Sequence, residues 1–371
     1  MSAPGATTLE ARVDVLLAAR TEANRRFFGA EAERVALLCR ELAECFLAGG
    51  RLLALGGSPQ DWSDAHHVAV EFVHPVIVGK RALPALALDP ADLPLVAAPG
   101  DAVVSFAPLT FRTGKQEWVF EPLSDDAFVR QELAETLYHV VWELVHVFFE
   151  HLHGSSAGAG ASSFLYPFLE QQAGGELDSV VDDVRRSVLM KADEVGALRE
   201  QTLTEGNAPL AEAAALVRRA LDDGGTLFAF GNGGSATDAM DVVADFRAAP
   251  QGWPARRAVD LSADSAILTA LANDIGPEVL FARQLIAYAK AGDVALAIST
   301  SGGSSNIVEA LAEARRRGLA TIALVGYDGG RVAAEGLADH VVVTRSDHIP
   351  RIQEAQASAY HALRELVELG G

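Results

Sequence analysis

Cysteine is almost missing from this 371-residue chain: there are two, Cys39 and Cys45, on a stretch with helical spacing. Six residues apart on a helix they point to different faces, so no disulfide joins them and a reducing, cytoplasmic setting is expected. Basic residues are also short, 30 Lys and Arg against 50 Asp and Glu, for a formal net charge of −20. A phosphate backbone or anionic membrane surface selects basic patches, so neither a nucleic-acid nor a membrane partner is expected. Long apolar runs are lacking too, because Asp, Glu, Arg or Gly interrupts every stretch before it reaches membrane-spanning length. The opening residues carry no charged segment followed by an apolar core, so no secretion signal is expected.

What the chain does have is glycine and serine in particular places. The apolar run Leu227 to Phe230 empties into Gly231, Asn232, Gly233, Gly234 and Ser235. A second run ends at Ile298 and continues as Ser299, Thr300, Ser301, Gly302, Gly303 and Ser304. Turns of this kind let backbone N–H groups crowd around an anion at a helix N-terminus, since glycine has no side chain to block the approach. The hydroxyls add donors without adding charge. Two such turns in one domain suit a ligand with a phosphate at one end and hydroxyls along its length, which describes a sugar phosphate.

The chain also reads as written twice. Residues 10–48 have helical spacing and lead to Gly49, Gly50, a short apolar run and Gly56-Gly57-Ser58; residues 177–223 lead likewise to Gly224, Gly225, an apolar run and Gly233-Gly234-Ser235. Asp64-Ala65 and Asp238-Ala239 follow. Each half closes with Gln-Glu and then Tyr-His, at Gln131 and His139 and again at Gln353 and His361. The expected organisation is a shortened domain over 1–152, a flexible linker over 153–176 rich in Gly, Ala and Ser, and a second domain over 177–371. In the second half, strands at 226–230, 257–260, 294–298, 320–325 and 340–343 alternate with helices at 236–247, 264–272, 278–290, 305–317 and 351–369. That alternation predicts a parallel sheet covered on both faces, with ligands beyond the carboxyl ends of its strands. The first half is expected to carry strands at 52–55, 84–88, 102–106 and 117–120. Its counterpart of the serine turn, Ser105 to Thr110, contains Phe106 and Pro108, so no phosphate is expected there.

These residues resemble the SIS (sugar isomerase) domain family, most closely its phosphoheptose isomerase branch. The carriers are the Gly-Asn-Gly-Gly-Ser turn, Asp238-Ala239-Met240, Asn273-Asp274, the Ser299–Ser304 segment and Arg351-Ile352-Gln353-Glu354, all in the family's order over residues 180–371. The first half looks like a diverged copy, giving a fold class of two tandem three-layer α/β/α domains with mostly parallel sheets. The resemblance implies an aldose–ketose isomerase acting on sedoheptulose 7-phosphate through an enediol, without a nucleotide cofactor. It implies that Ser299, Ser301 and Ser304 hold the phosphate, with Thr300 beside them. Asn232, Gly233, Gly234, Ser235, Asp274 and Gln353 would contact the sugar. It also implies zinc or another divalent metal, held by a His-x3-Glu pair and a Gln-x7-His pair that supply the acid and base. Family members form tetramers of single domains, so a homodimer of this chain would make a pseudo-tetramer.

The metal quartet departs from the family pattern. In the second half the His and Glu positions are Asp241 and Asp245, with Gln353 and His361 retained. The first half keeps the full set, His67, Glu71, Gln131 and His139, without phosphate loops. Either the second half works with Asp241, Asp245, Gln353 and His361, or a composite site draws metal and acid–base groups from the first half. The proton-transfer set is correspondingly Asp245 or Glu71 with His361 or His139. A Gln and a His eight apart on one helix lie about 12 Å apart along its axis, so one ion is a difficult reach for both. A non-catalytic sugar-phosphate-binding regulator or adaptor is the alternative; it would need the serine loop but none of the acid–base groups.

Overall fold

The computed structural model describes residues 8–76, 80–121, 124–152 and 177–369; the linker expected at 153–176 lies outside them. In the first half the elements run α1 (Leu9–Leu47), β1 (Leu52–Leu55), α2 (Pro59–Val73), β2 (Ala85–Leu88), α3 (Leu93–Val96), β3 (Ala102–Phe106), β4 (Leu109–Arg112), β5 (Glu117–Phe120) and α4 (Ala127–Leu152). The second half runs α5 (Leu177–Glu205), α6 (Asn207–Asp222), β6 (Leu227–Phe230), α7 (Gly234–Arg247), β7 (Ala258–Asp260), α8 (Ser265–Asp274), α9 (Leu280–Tyr288), β8 (Val294–Ser299), α10 (Ser305–Arg316), β9 (Ala320–Gly326), α11 (Gly330–Ala334), β10 (His340–Thr344) and α12 (Ile349–Leu369). No helix among the described residues is long and apolar enough to cross a membrane. Both cysteines are free thiols.

Packing groups the described residues into two compact units, one of Glu22–Glu194 and one that joins the residues up to Thr21 to those from Val195 onward. A boundary drawn at the linker assigns residues 8–21 and 177–194 differently. The reason is helix length. The 39 residues of α1 reach about 58 Å at 1.5 Å per residue, longer than a domain of this size is wide, roughly 40 Å. So Val13 lies in the core of the second unit while Phe27, Phe28, Val35 and Leu42 of the same helix lie in that of the first. On α5, Val180, Val184 and Val188 belong to the first core and Leu203 to the second.

The second unit has a fully parallel sheet in the order β10-β9-β8-β6-β7. Side chains alternate across it with the period of two that a strand dictates. Leu227, Ala229, Leu296, Ile298, Ile322 and Leu324 face a core with residues of α6, α7 and α12, whereas Phe228, Phe230, Ala295, Ala297, Ala323 and Val325 face one with residues of α9 and α10. The sheet is thus covered on both faces. The chain leaves β6 to form β7 on one side and later returns to place β8 on the other, so a crevice opens beyond Phe230 and Ser299, where an open parallel sheet binds its ligands. The helical stretch expected over 177–223 is two helices that meet at Gly206. A Cβ there would come within 2.7 Å of Val342 Cγ1, so glycine allows the junction to press against β10.

The first unit's sheet, β2-β1-β3-β4-β5, is parallel through β3 and antiparallel from β3 to β5. The four expected strands are present, but the expected counterpart of the serine turn is a tight hairpin: Ser105 pairs with Thr110 and Phe106 with Leu109. No helix follows β3 directly. The start of α2 is conventional, with Pro59 in the first turn and the Ser58 hydroxyl accepting from Asp61 N–H.

Candidate functional site

The glycine turn after β6 owes its shape to two residues. Gly231 packs so closely on the chain that a Cβ would lie 2.8 Å from Ser235 Cβ, and Gly233 has φ 59°. Ser235 N–H donates to Asn232 C=O at 3.1 Å, which folds the turn back so that α7 starts at Gly234. Asn232 and Asn306 then clasp each other through reciprocal amide hydrogen bonds of 2.9 and 2.8 Å, tying this turn to the first turn of α10.

The serine loop lies between β8 and α10. Ser299 Oγ accepts from Gly302 N–H at 3.1 Å and Ser301 Oγ from Gly303 N–H at 3.2 Å. A hydroxyl that accepts still has its own proton to donate. Ser304 stands at the N-cap of α10 but makes no side-chain cap bond, so the fold does not use its hydroxyl. Gly302 has φ 58°, and a Cβ there would sit 2.7 Å from Gly329 C. Of the other expected sugar contacts, Thr300 is half-buried, Gly234 is buried and Asp274 is exposed at the last residue of α8, where it accepts from the Asn273 amide.

Asp241 and Asp245 lie one turn apart on the buried face of α7, opposite His361 on α12. His361 Nε2 is 3.4 Å from Asp241 Oδ2 and 3.4 Å from Asp245 Oδ2. Tyr360 donates its hydroxyl to Asp241 Oδ2 at 2.9 Å, and Arg364 Nε donates to the Asp245 carbonyl at 3.1 Å. All three cluster residues are buried, and one ligand atom from each falls within 4.8 Å of the others. Gln353, also buried, is eight residues before His361 on the same helix.

A second cluster occupies the first unit. His67 and Glu71 on α2 face His139 on α4; His67 Nε2 is 3.2 Å from His139 Nε2 and 4.0 Å from Glu71 Oε1. Glu135, one turn before His139, converges with His67 and His139. Sequence reading passed over Glu135, although its i, i+4 relation to His139 puts both on one helical face. Gln131 is half-buried one turn further back. Tyr138 donates to Asp64 Oδ1 at 3.3 Å, close to what Tyr360 does in the other unit.

One further carboxylate went unnoticed in the sequence. Asp260, at the end of β7, accepts from Ser262 N–H at 2.7 Å, and the Ser262 hydroxyl donates to Gly231 C=O at 3.3 Å. Burial pushes the Asp260 carboxyl up to about 6 from 3.8, against the lowering effects of Ser262 and Arg247.

The fold and site of the second unit are those of an α/β phosphosugar-binding domain, and the comparisons specify which kind. Residues 192–326 match the SIS domain. A phosphoheptose isomerase of Thermodesulfovibrio yellowstonii is 36% identical over 190 residues, covering 51% of this chain and 92% of the relative. Another, of Trichlorobacter lovleyi, is 40% identical over 178 residues, 47% of this chain and 88% of the relative. The chain belongs to the SIS domain family, in the branch of these phosphoheptose isomerases. For the fold as a whole, the solved C-terminal domain of glucosamine-fructose-6-phosphate aminotransferase from Francisella tularensis is similar over 99% of this chain and 97% of its own, with a TM-score of 0.56 and 10% identity. At that identity the likeness is one of architecture, and it extends to both halves.

Proposed function

We propose that this chain is an aldose–ketose isomerase of a sugar phosphate, of the phosphoheptose type, with sedoheptulose 7-phosphate as substrate. The observation that carries the reading is that one unit holds both a hydroxyl-lined loop at the crevice of a parallel sheet and a buried Asp241–Asp245–His361 cluster. Isomerisation removes a proton from the carbon beside a carbonyl and returns it to the neighbouring carbon through an enediol. Asp245 is the base for the carbon-bound proton, and His361 moves the proton between the two oxygens. General acid–base groups each contribute on the order of 10²–10⁴-fold. Asp241, fixed by Tyr360, orients His361. Ser299, Ser301 and Ser304 grip the remote phosphate and align the reacting carbons.

Two aspartate oxygens and an imidazole nitrogen converging within 4.8 Å form a donor set that fits a divalent ion such as Zn²⁺ or Mn²⁺. Bound there, it would polarise the substrate carbonyl. His67, Glu71, Glu135 and His139 are richer in imidazole and fit Zn²⁺ more closely. Glu71 and His139 are the other candidate proton-transfer pair. The first unit is read as a diverged copy of the second, and the assembly as a cytoplasmic homodimer.

The test is incubation with sedoheptulose 7-phosphate, with and without a chelator, for the wild type and for His361→Ala and His139→Ala. Interconversion lost only in His361→Ala supports the second-unit site; loss only in His139→Ala transfers the chemistry to the first unit. Thermal stabilisation by the sugar phosphate with no interconversion in the wild type would make the chain a sugar-phosphate-binding regulator. The replacement of His and Glu by Asp241 and Asp245 is the observation favouring that second reading.

A further inference from the structure

Tyr327 is the one non-glycine residue among those described with a positive φ, 53°. A Cβ crowds the neighbouring carbonyl in this left-handed conformation, which glycine adopts freely and asparagine or aspartate at small cost. Two and three residues on, Gly329 and Gly330 also have positive φ, 93° and 53°. The loop thus uses glycine where backbone shape alone is at stake and keeps a tyrosine at 327. Packing does not account for it, since the side chain is 37% exposed.

Its position does suggest an account. Strands β8 and β9 pair in parallel with Ser299 opposite Val325, so the turns that leave them, one carrying Ser301 and the other Tyr327, emerge side by side. The two loops are in backbone contact. Val332 N–H donates to Gly302 C=O at 3.0 Å, and Gly329 N–H closes the turn onto Gly326 C=O at 2.9 Å. A Cβ on Gly330 would lie 2.7 Å from Gly302 C, and one on Gly326 would lie 2.7 Å from Ile352 Cγ2 and overlap Thr300 O. The segment 326–330 is therefore a rigid backing for the serine loop, and it displays one aromatic residue beside it. Neither the glycine turn nor the serine loop contains Lys or Arg, so a phosphate there depends on uncharged donors. A phenolic hydroxyl is one.

We infer that Tyr327 is a further ligand-binding residue of the phosphate site, donating its hydroxyl to a phosphate oxygen of the sugar phosphate. This rests on the function proposed above. Tyr327→Phe keeps the ring and the backbone conformation and removes only the donor. Tyr327→Gly removes the side chain and relieves the backbone.

Affinity for sedoheptulose 7-phosphate, for inorganic phosphate and for unphosphorylated sedoheptulose is measured by calorimetry, with Ser301→Ala as reference and melting temperatures taken without ligand. Expected for Tyr327→Phe is an unchanged melting temperature and about tenfold weaker binding of both phosphate ligands, the loss of one hydrogen bond to a charged group. Expected for Tyr327→Gly is a similar loss of affinity with a melting temperature no lower than wild type. If Ser301→Ala weakens binding but Tyr327→Phe stays within twofold of wild type, the role of Tyr327 is refuted and the function proposed above stands. Equal weakening of the unphosphorylated sugar refutes the phosphate as its partner. A wild type that binds neither the sugar phosphate nor phosphate overturns the parent reading, and this inference with it.

Discussion

Gly233 and Gly302 make a matched pair for testing how the ligand loops are held. Their φ values are 59° and 58°, positive in both, so alanine is strained at either position. The surroundings differ. A Cβ on Gly233 meets nothing within 4 Å, while one on Gly302 would overlap Gly329 O and lie 2.7 Å from Gly329 C. Gly233→Ala should therefore cost only the conformational strain of a backbone held at φ 59° and ψ −127°, about 2 kcal/mol. Gly302→Ala adds a clash with main-chain atoms, which cannot rotate away as a side chain would. One of two packed loops must move, which adds about 2 kcal/mol or more to the conformational strain. For a unit of this size each kcal/mol shifts the melting temperature by about 2–4 °C. Differential scanning calorimetry should show a fall of about 4–8 °C for Gly233→Ala and roughly 8–16 °C for Gly302→Ala. Because the displaced backbone carries Ser301 and Ser304, Gly302→Ala should also lose affinity for the sugar phosphate. Equal shifts for the two variants would refute the claim that the serine loop is locked by backbone contact with the 326–330 segment.

Replacing Ser301 and Ser304 together by alanine should leave the melting temperature within about 2 °C of wild type, since the bond Ser301 accepts from Gly303 N–H is exposed, so water can replace it, and Ser304 makes no cap bond, and should weaken sugar-phosphate binding more than tenfold in calorimetry. Asp245→Asn should lower the isomerisation rate by at least about 10²-fold with little change in binding, read by stopped assays at saturating substrate. Asp260 makes stability depend on pH. Its folded value is raised to about 6, so its contribution is full below the ordinary value of about 3.8 and is lost as pH rises through 6. Between pH 4.5 and 7.5 the wild type should lose about 1–2 kcal/mol more than Asp260→Asn in urea titrations, allowing for partial exposure; parallel curves would contradict the assignment.

The second unit was legible because three of its five strands, β6, β8 and β9, are short apolar runs that end at or just before glycine or serine. The expected and observed strands there agree to within a residue or so at each end, and Gly224, Gly233 and Gly302 take the positive φ that their turns require. What escaped the sequence was tertiary in origin. The stretch after β3 reads as a broken loop because Phe106 and Pro108 suit no phosphate; only pairing with β4 makes it a hairpin. Helical spacing along α1 and α5 reports that each is amphipathic, not which core each end enters. Glu135 was invisible for another reason. The repeat aligned Gln131 with Gln353 and directed attention to the eight-residue spacing, whereas convergence on a point beside His139 favours the residue one turn away.

The two His–carboxylate clusters differ in what surrounds them, and that sets different roles for a metal. In the second unit a serine loop lies at the carboxyl end of β8, where the proposed function puts the anchor of a phosphorylated ligand. In the first unit β3 turns straight back into β4, so no helix N-terminus follows it to serve as the corresponding anchor. A divalent ion held there by His67, Glu135 and His139 would act as a clamp between α2 and α4, replacing the direct contact between two imidazole nitrogens 3.2 Å apart. Ligand linkage gives about 2.7 kcal/mol of stabilisation at a hundredfold excess over the dissociation constant, or a rise of about 5–10 °C in melting temperature. Zinc titrations followed by calorimetry should therefore raise the transition of the wild type, and His139→Ala should abolish that rise while leaving sugar-phosphate affinity intact. A zinc-dependent shift that survives His139→Ala but vanishes in His361→Ala would refute the clamp and place the ion beside Asp241 and Asp245.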